Sequence, residues 1–143
     1  MFELHPQLAQ DCIAVGDLPL SRLLLMNDSQ FPWLILVPRR REVTELFELS
    51  AADQAQLQAE MSGLGQLLKD TFNADKMNIA ALGNMVSQLH IHVVVRFRVD
   101  PVWPAPIWGK LPPVRYEGEA LEQRLAELRA VLGKHFNFVE ADK

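Results

Sequence analysis

Apolar residues form five short runs along the chain, each of the length of a β-strand. The runs are bounded by Gly, Pro, Asn or Asp and are rich in β-branched or large apolar side chains, which is typical of strands. They cover residues 12–17, 20–26, 33–37, 76–81 and 88–96. The pattern therefore predicts about five strands.

Two longer stretches repeat apolar residues every three or four positions, as the buried stripe of an amphipathic helix does. The first covers residues 51–72 and follows Ser50, a favourable N-cap, and the second covers about 119–136. A short helical turn is predicted within residues 1–10. Closely spaced prolines in residues 100–109 exclude regular structure there and favour an extended segment.

The separations between strands predict how they pair. Residues 12–17 and 20–26 are close enough to form a hairpin. Residues 76–81 and the run from Gln88 are expected to be antiparallel neighbours, with Gly83 and Asn84 at or near their turn. Together these elements predict an α+β fold in which an antiparallel sheet of about five strands carries helices on one face.

Length and composition place limits on the class of protein. A chain of 143 residues that is 49% hydrophobic is expected to form one domain, residues 1–143, with its motif-bearing core at about 12–109. No apolar run approaches the roughly 20 residues of a membrane span, and the N-terminus lacks signal-peptide features. We expect a soluble, cytoplasmic protein without a membrane partner.

Charge and cysteine content exclude further classes. The net charge of −4 argues against binding to a nucleic-acid polymer, which requires neutralisation of phosphates. Cys12 is the only cysteine, which excludes an internal disulfide and a cysteine-based zinc site. Local basic groups can still bind a small anion, and the triplet at residues 39–41 is either a solvated loop or such a contact.

The strand at residues 88–96 carries the candidate chemistry. Successive strand side chains point to opposite faces, so Gln88, His90 and His92 share one face. The opposite face is apolar and consists of Leu89, Ile91, Val93 and Val95. Two imidazoles and an amide therefore lie on one surface, whereas His5 and His135 lie outside the pattern and are predicted to be surface residues.

Paired imidazoles allow three interpretations. A neutral imidazole is a nucleophile near pH 7, and a neighbouring charged imidazole can bind phosphate oxygens, so His90 and His92 can act together on a phosphate. The spacing also suits two metal ligands, with Gln88, Asp28 or water completing the shell. The third interpretation is a pair of histidines that only pack. The first interpretation requires no metal or other cofactor.

The motif strand resembles the histidine triad (HIT) motif, His-φ-His-φ-His-φ-φ with φ apolar, except that Gln88 stands at the first position. The resemblance implies that His90 is the nucleophile, which forms a covalent nucleotidyl-histidine at the α-phosphate, and that His92 contacts the phosphate. The first position belongs to the hydrogen-bonded relay that orients the other rings. Gln88 can donate and accept hydrogen bonds there but cannot exchange a proton near pH 7.

The resemblance extends upstream of the motif strand. Gly83 matches the glycine of a segment that lies on the phosphate in the family, while Asn84 and Met85 replace its usual Gln and hydroxyl residue. Asn27 and Asp28 match the ribose-binding strand end, at which Asp28 binds the ribose hydroxyls. Asp28 can equally cap a turn, since Asn-Asp-Ser is a common turn sequence.

Two charged or aromatic positions complete the candidate site. Arg96 lies on the histidine face and is a candidate for binding an anion, although Arg96 and Arg98 are also ordinary strand-end charges. Trp103 matches an aromatic residue that HIT dimers place near the partner's site, and Trp103 and Trp108 are otherwise packing residues or base-stacking residues. The resemblance also implies a homodimer.

The leading functional hypothesis is a nucleotide hydrolase or nucleotidyl transferase. It would act at the α-phosphate of a dinucleoside polyphosphate-like anhydride or a phosphoramidate, through a covalent intermediate on His90. The alternative is a non-catalytic nucleotide-binding module or sensor, because Gln88 and Met85 replace a proton-exchanging ring and a hydroxyl. A metal enzyme is the third hypothesis.

Overall fold

A computed structural model of the chain describes residues 1–138. It contains helices α1 to α3 and strands β1 to β5, together with one 3₁₀ turn at Leu46–Glu48. In chain order the elements are α1 (Pro6–Asp11), β1 (Cys12–Asp17), β2 (Ser21–Met26), β3 (Trp33–Pro38), α2 (Ala51–Phe72), β4 (Lys76–Ala80), β5 (Ile91–Arg96) and α3 (Glu119–His135). The five strands form one antiparallel sheet, so the predicted α+β fold is confirmed.

Strand β5 lies inside the sheet although it is the last strand in the chain. The strand order is β1-β2-β3-β5-β4, which places β5 between β3 and the edge strand β4. In the register, His92 is opposite Ile35 on one side and Ala80 on the other. All six residues of β5 are buried. A central strand that is paired on both sides gives its side chains a rigid base.

The two faces of the sheet have different partners. Leu34 and Val93 point to the face that packs on helices α2 and α3, where Leu64 and Leu128 are fully buried. The opposite face carries Ile35 in an apolar cluster with the short helix α1, and it also carries the two histidines. Hence α2 and α3 lie opposite the histidines, as predicted.

Helix α2 has the bounds that its apolar period predicts. The Ser50 hydroxyl accepts a hydrogen bond from the Asp53 amide at 3.1 Å and caps its first turn, and Asn73 ends it in the left-handed conformation. On its buried side, the Glu60 carboxylate accepts hydrogen bonds from the backbone amides of Leu20 and Ser21 at 2.8 and 3.1 Å. The helix is thereby bonded directly to the turn between β1 and β2.

The structure corrects the predicted motif strand and the connection before it. Strand β5 begins at Ile91, so Gln88 and His90 lie in irregular chain just before it. The antiparallel pairing of β4 with β5 is confirmed, but residues 81–90 form a long irregular connection in place of a tight turn. Gly83 has a φ of +80° in this connection, a conformation that glycine adopts without strain. No helix within residues 1–138 is both long and apolar enough to cross a membrane.

Candidate active site

His90 and His92 lie beside each other at the start of β5. Their ring centroids are 4.9 Å apart and the planes are inclined by 71°. Their exposed fractions are 7% and 5%. Although His90 precedes the first paired residue of the strand, the extended chain keeps the two rings on the face that sequence alternation predicts. Two nearly buried imidazoles therefore share one location.

The ring of His90 is oriented by the backbone. Its Nδ1 lies 2.7 Å from the carbonyl oxygen of Gln88. A carbonyl oxygen only accepts, so Nδ1 carries the hydrogen and Nε2 of the neutral ring keeps its lone pair. The unprotonated Nε2 of His90 is the atom that a nucleophilic role requires.

The ring of His92 has the opposite tautomer. The indole Nε1 of Trp33 donates a hydrogen bond to Nδ1 of His92 at 3.0 Å. Because an indole N–H can only donate, Nδ1 is unprotonated and Nε2 of His92 carries the hydrogen. The network thus presents one acceptor nitrogen and one donor nitrogen side by side.

The electrostatics of His92 correct one prediction. Burial, and secondly the neighbouring His90, lower the pKa of His92 to about 3. Desolvation disfavours the charged form of a buried imidazole. His92 is therefore a neutral hydrogen-bond donor near pH 7, and not the charged ring that the sequence suggests for binding phosphate oxygens.

Two adjoining hollows open beside the histidines. The first has a volume of about 210 Å³ and is lined by apolar side chains together with Asp11, Asn27, Asp28 and Arg115. The second, of about 620 Å³, is lined by both histidines. Trp33 and Trp108 line both hollows. Both hollows combine apolar and aromatic side chains with polar ones, and two such joined hollows fit a ligand with an aromatic part and a polar part.

Asp28 lies in the first hollow and also caps a turn. Its Oδ1 accepts hydrogen bonds from the Gln30 backbone amide at 3.0 Å, the Gln30 side chain at 3.1 Å and the Val114 amide at 3.4 Å. Within residues 1–138 no hydrogen bond involves its Oδ2. Next to it, the Asn27 side chain accepts from the Tyr116 amide at 2.9 Å. The turn-capping interpretation is thus present, and one carboxylate oxygen is left for a ligand.

The connection before β5 lies at the second hollow. Gly83, Asn84 and Met85 line it together with the histidines, so the predicted proximity of this segment to His90 and His92 is observed. The Met85 side chain is 96% exposed. It lies where the resemblance puts a hydroxyl, and it supplies none.

The structure corrects the expectation for Gln88. Its side chain contacts the N-terminal segment and not the two rings: Oε1 accepts from the His5 amide at 2.8 Å and Nε2 donates to the Glu3 carbonyl at 2.8 Å. The relay with the imidazoles uses the Gln88 backbone carbonyl alone. As a result His5, which the sequence assigns to the surface, is half-buried and lines the second hollow.

Arg96 also differs from expectation, whereas the place of Trp103 near a partner's site stays a prediction. Arg96 is 1% exposed and forms a two-point ion pair with Asp100, with distances of 2.8 and 3.1 Å, and it donates to Asn78. Trp103 stacks on this guanidinium at 5.6 Å. Neither residue lines the two hollows, because the ion pair holds them at the far end of β5. Of the two tryptophans in the proline-rich segment, Trp108 is the one at the site, with its ring 5.3 Å from that of His92.

The metal-site interpretation needs a third ligand beside His90 and His92. Within residues 1–138 no three His, Cys, Asp or Glu side chains lie close enough together to hold a metal ion. The Nδ1 of His92 is occupied by the Trp33 indole. Burial raises the pKa of the Cys12 thiol to about 12, so this side chain stays protonated. The metal-enzyme hypothesis therefore finds no third protein ligand in the described chain.

The comparison with known protein families agrees with this geometry. A sequence model described as the HIT domain matches residues 7–99. The chain belongs to the HIT family. A search of curated proteins finds no match. The matched residues include Gln88, His90 and His92.

Solved structures of HIT proteins resemble the chain over nearly its whole length. A histidine triad protein from Marinobacter aquaeolei VT8 is 47% identical, with a TM-score of 0.91, and the match covers 94% of this chain and 98% of that one. One from Sinorhizobium meliloti 1021 is 42% identical with a TM-score of 0.89, covering 92% and 98%. One from Bradyrhizobium japonicum is 43% identical with a TM-score of 0.87, covering 90% and 96%.

Two contributors to the site, Trp33 and His5, are not predicted from the sequence. Trp33 and His92 are 59 residues apart in the chain, and the His5 amide and Gln88 are 83 apart. Contacts of such separation leave no periodic signal in the sequence. The sequence does contain one indication of the contact with His5. Gln88 stands where the HIT motif has a histidine, and a side-chain amide there suggests that residue 88 bonds to a group other than the two imidazoles.

Proposed function

We propose that this HIT protein is a nucleotide hydrolase or nucleotidyl transferase that acts at the α-phosphate of a nucleoside phosphoanhydride or phosphoramidate. The observation that carries the proposal is the opposite tautomers of two adjacent imidazoles. Nε2 of His90 is free to attack, while Nε2–H of His92 is free to donate. Attack on phosphorus and stabilisation of a phosphoryl oxygen require this pair of functions.

The two hollows support a nucleotide as the ligand. The nucleoside is proposed to occupy the first hollow, with its base against Trp108 and its ribose hydroxyls on Oδ2 of Asp28. The phosphates then extend into the second hollow, where the histidines and the backbone at Gly83 lie. This places the α-phosphorus near His90.

The proposed reaction has two steps. The lone pair of His90 Nε2 forms a bond to the α-phosphorus, and the bond from phosphorus to the leaving oxygen or nitrogen breaks, with its electron pair leaving on that atom. The leaving group takes a proton from solvent or from a nearby acid. Water or an acceptor hydroxyl then attacks the phosphorus and loses its proton to solvent, while the P–N bond breaks with its electron pair returning to Nε2, so that His90 is restored as the neutral ring.

The experiment is the replacement His90→Ala, assayed with dinucleoside polyphosphates and nucleoside phosphoramidates. Turnover is expected to fall by several orders of magnitude, since no neighbouring group replaces a covalent nucleophile. Alkaline quenching of the wild type with labelled substrate should trap a nucleotidyl-histidine that the variant lacks, because the P–N bond survives base and is hydrolysed in acid. Full activity of His90→Ala would eliminate the mechanism.

The second candidate function is nucleotide binding without chemistry. Two observations favour it: the Gln88 side chain is engaged away from the rings, and Met85 offers no hydroxyl at the site. Tight binding of nucleotides by the wild type, without product from any substrate of the panel, would select this function.

We also propose that the protein is a homodimer joined at the edge of the sheet. β4 pairs only with β5 among the described strands, and its Ile79 side chain is 45% exposed. An open strand edge beside an exposed apolar side chain favours pairing with a second copy. Sedimentation equilibrium on the full chain measures the mass that decides this.

A further inference from the structure

His5 lies at the proposed phosphate compartment although it belongs to no part of the HIT motif. It lines the same hollow as His90, His92 and Asn84. Its Nδ1 accepts a hydrogen bond from the Gln7 amide at 3.0 Å. Nδ1 is therefore unprotonated, and Nε2 is the ring atom that can donate to a ligand.

The position of His5 depends on Gln88. Oε1 of Gln88 accepts from the His5 amide, and Nε2 donates to the Glu3 carbonyl, both at 2.8 Å. The side-chain amide thus binds the N-terminal segment as a neighbouring strand would, with one bond in each direction. The C=O and N–H of an amide point in nearly the same direction, whereas the hydrogen-bonding directions of the two imidazole nitrogens diverge, so a histidine at residue 88 would not make this pair of bonds to one backbone segment.

We propose that His5 is the third imidazole of this site, where it donates Nε2–H to a substrate phosphate, and that Gln88 acts as the positioning residue that holds it there. The inference rests on the proposed nucleotide site. It also gives a role to Gln88, which stands where the HIT motif has a histidine. At the first motif position, the side-chain amide of Gln88 thus holds the N-terminal segment, and through it an additional imidazole at the site.

The test measures binding of the four nucleoside 5′-monophosphates and of the matching nucleosides by isothermal titration calorimetry. The variant is His5→Asn, because asparagine is a favourable N-cap that can replace Nδ1 as acceptor for the Gln7 amide, and the backbone bond to Gln88 is unchanged. A hydrogen bond to a charged group is worth about tenfold or more in affinity. We expect His5→Asn to weaken the best-bound monophosphate by about tenfold and its nucleoside by less than twofold.

Gln88→Met tests the positioning role, since it keeps the length of the side chain and removes both amide bonds. It should weaken the monophosphate to the same extent as His5→Asn, and the double variant should be no weaker than either single one. His135→Asn, at the exposed end of α3, is the matched control and should bind as the wild type does.

Other outcomes separate this inference from the proposed function. Equal loss of monophosphate and nucleoside, or unchanged monophosphate binding in His5→Asn, would overturn the role of His5. If the fold-loss of monophosphate affinity in the double variant equals the product of the two single losses, the positioning role of Gln88 is overturned. If the monophosphate loss appears as expected but no substrate turns over, the inference holds and the proposed catalysis fails.

Discussion

The indole of Trp33 donates to Nδ1 of His92 at 3.0 Å, and this single bond fixes which nitrogen of His92 faces the site with a proton. Strands β3 and β5 are neighbours in the sheet, so both rings rest on rigid backbone. Trp33 therefore acts on the proposed chemistry through His92.

Trp33→Phe is expected to keep the packing of the aromatic ring but to remove the hydrogen bond to Nδ1 of His92. Both neutral tautomers of His92 then become populated. A buried hydrogen bond to a neutral partner is worth about 1 kcal/mol, which corresponds to roughly a fivefold loss in kcat. The ¹⁵N chemical shifts of His92 should change from a single Nε2–H form to a mixture of both tautomers. An unchanged imidazole spectrum would contradict the assignment of the hydrogen bond. Trp103→Phe, on the same face but away from the hollows, is the matched control.

The lowered pKa of His92 predicts a dependence of stability on pH. In the unfolded chain the imidazole takes up a proton near pH 6.5, whereas in the fold it does so only near pH 3. Between these values the unfolded state binds more protons, so the free energy of unfolding falls as the pH is lowered. The contribution approaches about 1.4 kcal/mol per pH unit in the middle of this window.

His92→Asn removes this titration. Urea denaturation at pH 7, 6, 5 and 4 should give a shallower loss of stability in the variant than in the wild type. Carboxylates also titrate in the lower part of the range, so the difference between the two slopes is the measured quantity. His135→Asn should follow the wild type, and identical slopes in all three proteins would contradict the buried, neutral state of His92.

Asp28→Asn should separate the two roles of this side chain. The amide keeps an oxygen that can accept from the Gln30 and Val114 amides, so the turn should survive with little change in stability. It replaces Oδ2, the proposed acceptor for the ribose hydroxyls. We expect KM for a ribonucleotide substrate to rise about tenfold, and KM for the 2′-deoxy analogue, which has only the 3′-hydroxyl to lose as a donor to Oδ2, to rise clearly less. An equal effect on both sugars would assign Asp28 to turn capping alone.

Glu60→Ala should destabilise the fold without affecting the site. It removes the acceptor for two buried backbone amides, those of Leu20 and Ser21, at a cost of about 2–5 kcal/mol. Urea denaturation measures this loss, and nucleotide affinity of the folded protein should be unchanged. Gln58→Ala, on the exposed side of the same helix, should cost less than about 0.5 kcal/mol.

Much of the fold follows from local pattern. The helix at Ala51–Phe72 has an N-cap, an apolar stripe and a stop, all of which are local features. The alternation in β5 fixes which residues face α2 and α3, and hence which face carries the histidines. These features are predictable because the repeats of a strand and of a helix, 2 and about 3.6 residues, involve residues that are close in the sequence.

The hydrogen-bonding partners of the candidate site could not be predicted in the same way. Arg96 is positively charged and lies on the histidine face, as an anion-binding residue would. Its guanidinium, however, forms a buried ion pair with Asp100, four residues further along the chain. Trp103 and Trp108 have similar local sequences, and only the path of residues 97–118 decides that Trp108 reaches His92. Such choices depend on tertiary distance, which a single sequence does not display.

The insertion of β5 between β3 and β4 has a consequence for incomplete chains. β3 is almost entirely buried and offers its backbone groups to β5, so a chain that stops before Ile91 leaves this apolar strand with an unpaired edge. An exposed edge of that composition is a template for intermolecular pairing and precipitation. Shortened products, whether from interrupted synthesis or from proteolysis in the 81–90 connection, should accumulate as aggregates.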